Sequence, residues 1–305
     1  MSASPPLYRL NPDGWADLDG KRPVLVLLLD GAGSAGQLQP LVAEHLLEHC
    51  PHRPLVRFDL DLLTQYADRR PMLDFEDGHF TRTPSPELVL YALTDAAGEI
   101  FLALVGPEPM LLWERAVAAI VELVAGLGVR LTVDVSGLPM RVPHTRPPQV
   151  FTHSPDPELV LRPWDAFRGA LTVTATFGAY LEAVLGEKGE RTMGIDVCVP
   201  YYLGKSEHVA SALAALEAIQ ASCGLNLLPG RLEERAQANR ADIDEQVAAT
   251  ENGPAVVSIL ESNYDEFRTL VGDLPSADEL AAEFERFLAE HDRRRDTGDG
   301  DTPEG

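Results

Sequence analysis

Four short loops carry the residues of this chain that could do chemistry. The first, Asp30-Gly31-Ala32-Gly33-Ser34-Ala35-Gly36, matches G-x-G-x-x-G, a run that after a strand and before a helix can leave backbone amides free for a phosphate. Asp59 follows at the spacing at which dinucleotide folds hold a ribose, so a nicotinamide cofactor has to be considered. Pro40 argues against it. A dinucleotide helix starts near the second glycine and would enclose this proline, losing a hydrogen bond and clashing with the preceding turn. A helix starting near Gln39 and Pro40 accommodates it, and the loop then packs closely or binds an anion weakly at a helix start. No cofactor is expected.

The second loop is Pro143-His144-Thr145-Arg146-Pro147. His144 could serve as a general base or ligand contact, and Arg146 could hold a carboxylate or phosphate. The plainer reading is that both side chains hydrogen-bond the carbonyls of a proline-rich loop that cannot satisfy them itself. Glu108, in Gly106-Pro107-Glu108-Pro109, is a candidate acid or, in the first turn of the helix that follows, a complement to its dipole. Tyr201, in Pro200-Tyr201-Tyr202-Leu203-Gly204, reads as a wall or interface residue. The candidate ligand or interaction site is therefore Asp30, Gly31, Gly33, Ser34, Gly36, Glu108, His144, Thr145, Arg146 and Tyr201. Arg69-Arg70 reads as a solvated pair or subunit contact, and His79, His153 and His208 lack metal spacing and read as incidental. No P-loop lysine, G-x-S-x-G elbow or H-E-x-x-H run occurs. No catalytic residue can be assigned.

These loops follow apolar runs that read as buried strands: Val24 to Leu29, Ile100 to Val105, Leu131 to Val135 and Met193 to Val199. Helical periodicity follows three of them, at Leu41 to Leu46, Leu112 to Leu127 and Val209 to Ile219. Such strands run parallel and deliver their loops to one edge, where open α/β sheets bind ligands. Leu55 to Leu60 is a further strand. Glu87 to Leu93 and Glu99 to Val105 are joined too tightly for a parallel crossover and must be antiparallel. Gln149 to His153 reads as a short strand, Pro163 to Leu171 as irregular, and Thr176 to Leu185 as a helix. The expected fold is a three-layer α/β core with a mixed, mostly parallel sheet flanked by helices. Residues 1–229 form that core, 230–291 a helical appendage packed on it (Arg231 to Glu251, Pro254 to Val271, Ala277 to Glu290), and 292–305 a disordered acidic tail.

The formal charge of −23 over 305 residues opposes attraction to nucleic acid or anionic lipid. No apolar run approaches the roughly 18 residues of a membrane span. A cytoplasmic protein is expected. Cys50, Cys198 and Cys223 are odd in number and scattered, and read as small buried apolar residues.

The run Leu104-Val105-Gly106-Pro107-Glu108-Pro109 before Trp113-Glu114, then Pro143-His144-Thr145-Arg146-Pro147 and Val199-Pro200-Tyr201-Tyr202-Leu203, resembles the bacterial branch of the proteasome assembly chaperone 2 family. Phe58-Asp59-Leu60-Asp61, Arg69-Arg70-Pro71 and Leu260-Glu261-Ser262-Asn263-Tyr264-Asp265 fit it too, so the resemblance spans residues 20–270. Ala32 and Ser34 depart from it, standing where relatives usually carry an aromatic and an Asp. The resemblance implies a phosphorylase/hydrolase-like fold, homo-oligomers with trimers among them, and kinship with eukaryotic chaperones that pair proteasome subunits. Some members carry an ATP-grasp or carboxylate-amine ligase label whose motifs are missing here. The leading expectation is a non-enzymatic, assembly-chaperone-like interaction module that binds itself or a protein client. The alternative is a small-molecule-binding protein or a hydrolase/phosphorylase-like enzyme using the strand-end edge.

Overall fold

The computed structural model describes residues 5–11, 14–15, 17–163 and 170–272. The chain divides into two compact units, Met1–Pro254 and Ala255–Gly305. In the first unit the strands are β1 (Tyr8–Leu10), β2 (Val24–Asp30), β3 (His52–Phe58), β4 (Leu73–Glu76), β5 (His79–Arg82), β6 (Val89–Thr94), β7 (Ile100–Pro107), β8 (Leu131–Met140), β9 (Val150–His153) and β10 (Thr192–Pro200). The helices are α1 (Leu38–His49), α2 (Leu60–Leu63), α3 (Trp113–Gly126), α4 (Phe177–Glu187), α5 (Val209–Cys223) and α6 (Leu232–Ala249). A further helix, α7 (Gly253–Gly272), begins at the end of this unit and runs into the second.

Eight strands form one mixed sheet in the order β1-β3-β6-β7-β2-β8-β10-β9. Its centre is parallel, β7-β2-β8-β10, and the remaining pairings are antiparallel. The expected mixed α/β sheet is thus observed, but it is not mostly parallel: four of its seven pairings are antiparallel, because the outer strands join by short turns or return at the edges, and the parallel strands are concentrated where the loops of interest leave. One face is covered by α1 and α5, packing Leu38, Leu46, Leu216 and Ile219 on Val26, Val133 and Ile195. The other is covered by α3 and α4, packing Ile120, Val124, Phe177 and Leu181 with Leu27, Leu102 and Leu104. The inner strands are apolar on both faces because both are covered.

Several boundaries move for physical reasons. β8 runs on through Ser136 to Met140, residues that read as loop, because β10 offers each a parallel partner as far as Pro200. β3 begins at His52, since its first residues pair with β6. Pro40 lies in the first turn of α1, as its missing N–H requires. Glu108 does not enter a first turn: α3 begins only at Trp113, after Leu112 takes a left-handed backbone at φ 56°. The β4–β5 hairpin was not legible, because all of its residues are exposed and its alternation reports no core. The helix α6 belongs to the first compact unit. The expected helix over Ala277 to Glu290, the tail 292–305 and most of Pro163 to Leu171 lie outside the described residues.

Candidate functional site

The parallel centre brings the four loops to one edge. Asp30 pairs with Pro107, and Met140 with Pro200, at matching strand ends. The Glu108 N–H continues the β2–β7 ladder to the Asp30 carbonyl at 2.9 Å. Ser34 bridges to Gly137, whose N–H donates to the Gly33 carbonyl at 2.7 Å. Gly36 donates to the Gly204 carbonyl and accepts from the His208 N–H. The His144 N–H donates to the Tyr202 hydroxyl at 2.9 Å. Gly33, Glu108, His144 and Tyr201 therefore stand along one continuous rim.

Along that rim, polar groups are largely committed to the fold. Glu108 accepts from the Ala32 N–H with one carboxylate oxygen and from the Phe177 N–H, at the first turn of α4, with the other. It does complement a helix dipole, but on a helix 69 residues further along the chain. The approach needs Gly31, where an added Cβ would lie 1.8 Å from the Glu108 carboxylate. Gln39, almost fully buried, donates to the carbonyls of Gly33 and Val135 at 2.7 and 2.8 Å and accepts from the Ser34 hydroxyl. The Ser34 hydroxyl in turn accepts from the Gly31 N–H. The amides of Gly31, Ala32, Ser34, Gly36 and Gln37 are thus occupied within the chain, which opposes the anion cradle that the glycine spacing suggested. Asp30 pairs with Arg69 at 3.0 Å.

His144 is buried, its Nδ1 2.7 Å from the Tyr202 hydroxyl and its Nε2 2.9 Å from Asp244 of α6. The backbone N–H can only donate, so the Tyr202 oxygen accepts it. Its own proton then suits Nδ1, and the Nε2–H suits Asp244. The imidazole consequently pins α6 to the β8–β9 loop instead of bonding its own loop's carbonyls. Thr145 follows in the same turn, and Arg146 lines with His144, His208 and Arg240 a hollow of about 370 Å3 between that turn, α5 and α6. A separate hollow of about 540 Å3 lies over Gly31, Ser34, Tyr201 and Lys205. Burial pushes His208 down to about 4, so it is neutral at physiological pH, with Nδ1 2.7 Å from the Ser211 hydroxyl.

A polar cluster lies beneath α4, and it contains His153, which is therefore not incidental. His153 on β9 lies 3.3 Å from Asp196 on β10 and 3.4 Å from Glu182 on α4. The two carboxylates, Asp196 first, hold its imidazolium up to about 10. Asp134 on β8 lies alongside under Gly178, where an added Cβ would come within 2.1 Å of its carboxylate. Burial, then the neighbouring Glu182 and Asp196, raise Asp134 to about 7. Alternation along β8 and β10 could have disclosed this face, because Asp134, Ser136 and Asp196 point opposite to Val133, Val135 and Ile195. His153 carried no signal, since its partners come from two other segments, β10 and α4. Cys198 and Cys223 are buried and pushed up to about 12, as inert core thiols should be.

Residues 28–247 match the profile of the PAC2 family. The chain belongs to that family. A Mycobacterium tuberculosis protein of unknown function, Rv2714, is 36% identical, with a TM-score of 0.82 over 89% of this chain and 93% of its own. A Corynebacterium glutamicum protein of unknown function is 31% identical, with a TM-score of 0.77 over 85% of this chain and 97% of its own. A Mycobacterium tuberculosis proteasome-assembly chaperone homologue, Rv2125, shares the fold at 19% identity, with a TM-score of 0.68 over 77% and 99%. A search of curated proteins found no match.

Three outcomes follow for this PAC2 member. Glu108→Gln replaces one accepting oxygen by an NH2 group, orphaning an amide of Ala32 or Phe177, and should cost about 1–3 kcal/mol in a urea melt. His144→Ala should speed amide exchange across Leu232–Ala249, and unchanged protection there would place the anchorage of α6 elsewhere. Asp134 holds a proton in the folded state that the unfolded chain releases above about pH 4. Its contribution therefore falls as pH rises from about 4 to 7, by up to about 4 kcal/mol. Asp134→Asn should flatten that slope relative to the wild type. Across pH 4 to 6.5 His153 stays protonated in both states, its stabilisation being lost only as pH rises from 6.5 towards 10.

Proposed function

We propose that this chain is a non-enzymatic, assembly-chaperone-like interaction module that self-associates and presents its strand-end rim to a protein client. The observation that carries this reading is the division of labour along the rim. Its polar groups, Glu108, Gln39, Ser34 and His144, are engaged by the chain's own backbone and by α6, whereas its apolar side chains face outwards. Met110, Leu111 and Leu112 after β7, Met140 at the end of β8 and Tyr201 after β10 are all exposed at that edge. Leu112 is held there in a left-handed backbone that costs about 1 kcal/mol or more, a conformation the surroundings must impose. Family membership and the fold shared with a proteasome-assembly chaperone homologue support the same reading. With a charge of −23, the client surface is neutral or basic.

Among the described residues no helix is long and apolar enough to cross a membrane. We place the protein in the cytoplasm, where its free cysteines would remain reduced. A second reading, a small-molecule binder or a hydrolase/phosphorylase-like enzyme at the same edge, has one feature in its favour, the hollow of about 540 Å3 over Ser34, Tyr201 and Lys205.

Native mass spectrometry of the purified chain separates the two. The module reading expects more than one copy and no stoichiometric small molecule, with a Tyr201→Asp/Met140→Asp variant losing co-purified protein while keeping its melting temperature. A single copy carrying a small molecule that Ser34→Ala or Lys205→Ala releases would establish the second reading instead.

A further inference from the structure

The start of α5 carries a buried polar side chain whose hydrogen bonding the fold leaves incomplete. His208 is 3% exposed, and its Nδ1 lies 2.7 Å from the hydroxyl of Ser211, itself fully buried. That hydroxyl has no other partner among the described residues, so its proton goes to Nδ1 and the imidazole carries its own hydrogen on Nε2. Among the described residues nothing accepts from that N–H. Unlike the shut-in, partnerless hydroxyl of Thr192, it keeps contact with open space, and the ring lines the hollow of about 370 Å3 between the β8–β9 loop, α5 and α6. A buried donor is thus turned towards a cavity.

The same hollow is basic in a chain that is acidic overall. Arg146 lines it from the β8–β9 loop and Arg240 from α6, and Glu233 is the acid among its lining residues. Glu233 and Arg240 stand seven residues apart on α6, about 10 Å along its axis, too far to pair directly. Asp244 is bonded to His144 and approaches the Arg240 Nε only to 3.8 Å, outside hydrogen-bond range. Asn239 is engaged by the Val209 N–H and the Glu207 carbonyl, and both ring nitrogens of His144 are taken. What the hollow offers a ligand is therefore the His208 N–H and the guanidinium groups, beside the apolar side chains of Leu213 and Ile243. Its volume falls at the lower end of the roughly 300–1,000 Å3 of small-molecule sites. Inorganic phosphate would leave the apolar wall unused. A planar carboxylate matches a guanidinium fork, and an attached apolar body covers that wall.

We propose that this hollow binds a free small organic carboxylate, its acid group held by Arg146, Arg240 and the His208 Nε2–H and its apolar body set against Leu213 and Ile243. The site is separate from the strand-end rim and from the hollow over Ser34, Tyr201 and Lys205, and it does not depend on self-association. It joins three segments, so its occupant braces α6 against α5 and the β8–β9 loop. An anion this small, held at roughly millimolar strength, leaves during purification and is not carried into a native mass spectrum.

Saturation-transfer NMR and melting curves of the full-length protein with benzoate, benzamide and inorganic phosphate test the site. Benzoate should bind with a Kd of roughly 1–10 mM, raise the melting temperature and shift the ring resonances of His208. Benzamide, of the same shape without the charge, should bind about 10-fold more weakly or worse. Arg240→Gln and Gln237→Glu, both at exposed positions of α6, should each weaken benzoate about 10-fold while leaving the melting temperature of the free protein unchanged. Equal binding of benzoate and benzamide, benzoate binding untouched by both variants, or a His208 ring that does not respond would overturn the proposal. So would phosphate binding more tightly than benzoate, or a peptide ending in a free phenylalanine carboxylate binding where benzoate does not, which would assign the hollow to a chain terminus.

Discussion

The carboxylate of Glu108 receives the backbone N–H of Ala32 on one side and that of Phe177 on the other. Through this one side chain the glycine loop after β2, the end of β7 and the start of α4 are locked together. A carboxylate at a helix N-terminus is held by charge-assisted hydrogen bonds and by the helix dipole, both stronger than neutral contacts. The arrangement requires that nothing project from Gly31, so the loop's glycine serves packing. Once Glu108 is in place, α4 is fixed over the sheet, and with it the lid on the polar cluster beneath.

That cluster is the least expected feature of the fold. A half-exposed imidazolium, His153, sits between Glu182 and Asp196, while a third carboxyl, Asp134, is shut under Gly178 and keeps its proton to about pH 7. Burial, and then the neighbouring carboxylates, oppose a further negative charge at Asp134. Among the described residues no group of three His, Cys, Asp or Glu side chains is arranged to hold a metal ion. The cluster's chemistry as it stands is that of one shared positive charge and one retained proton.

His144 illustrates how a residue with catalytic credentials becomes a fastener. Its side chain is 1% exposed, and both ring nitrogens have partners, Tyr202 and Asp244. Together with Asn239, which accepts from the Val209 N–H at the start of α5, it attaches α6 to the sheet's trailing edge. The rim that results is apolar on its outside and satisfied within.

The sequence alone determined which strands are central, because runs such as Val24 to Leu29 and Met193 to Val199 are apolar at every position and only a sheet covered on both faces accommodates that. It determined the antiparallel β6–β7 pair from the shortness of its turn, the place of Pro40 in a first turn, and the family from short motifs at strand ends. Partners far apart in the chain were decided only by tertiary structure. Glu108 meets Phe177, His144 meets Asp244 and His153 meets Asp196 through the sheet order, and no local spacing encodes those encounters. The β4–β5 hairpin marks the same limit from the other side: with no core against it, its alternating pattern points to no surface of its own chain. Periodicity records which face is buried; which charges end up side by side depends on how strands separated by a hundred residues are ordered.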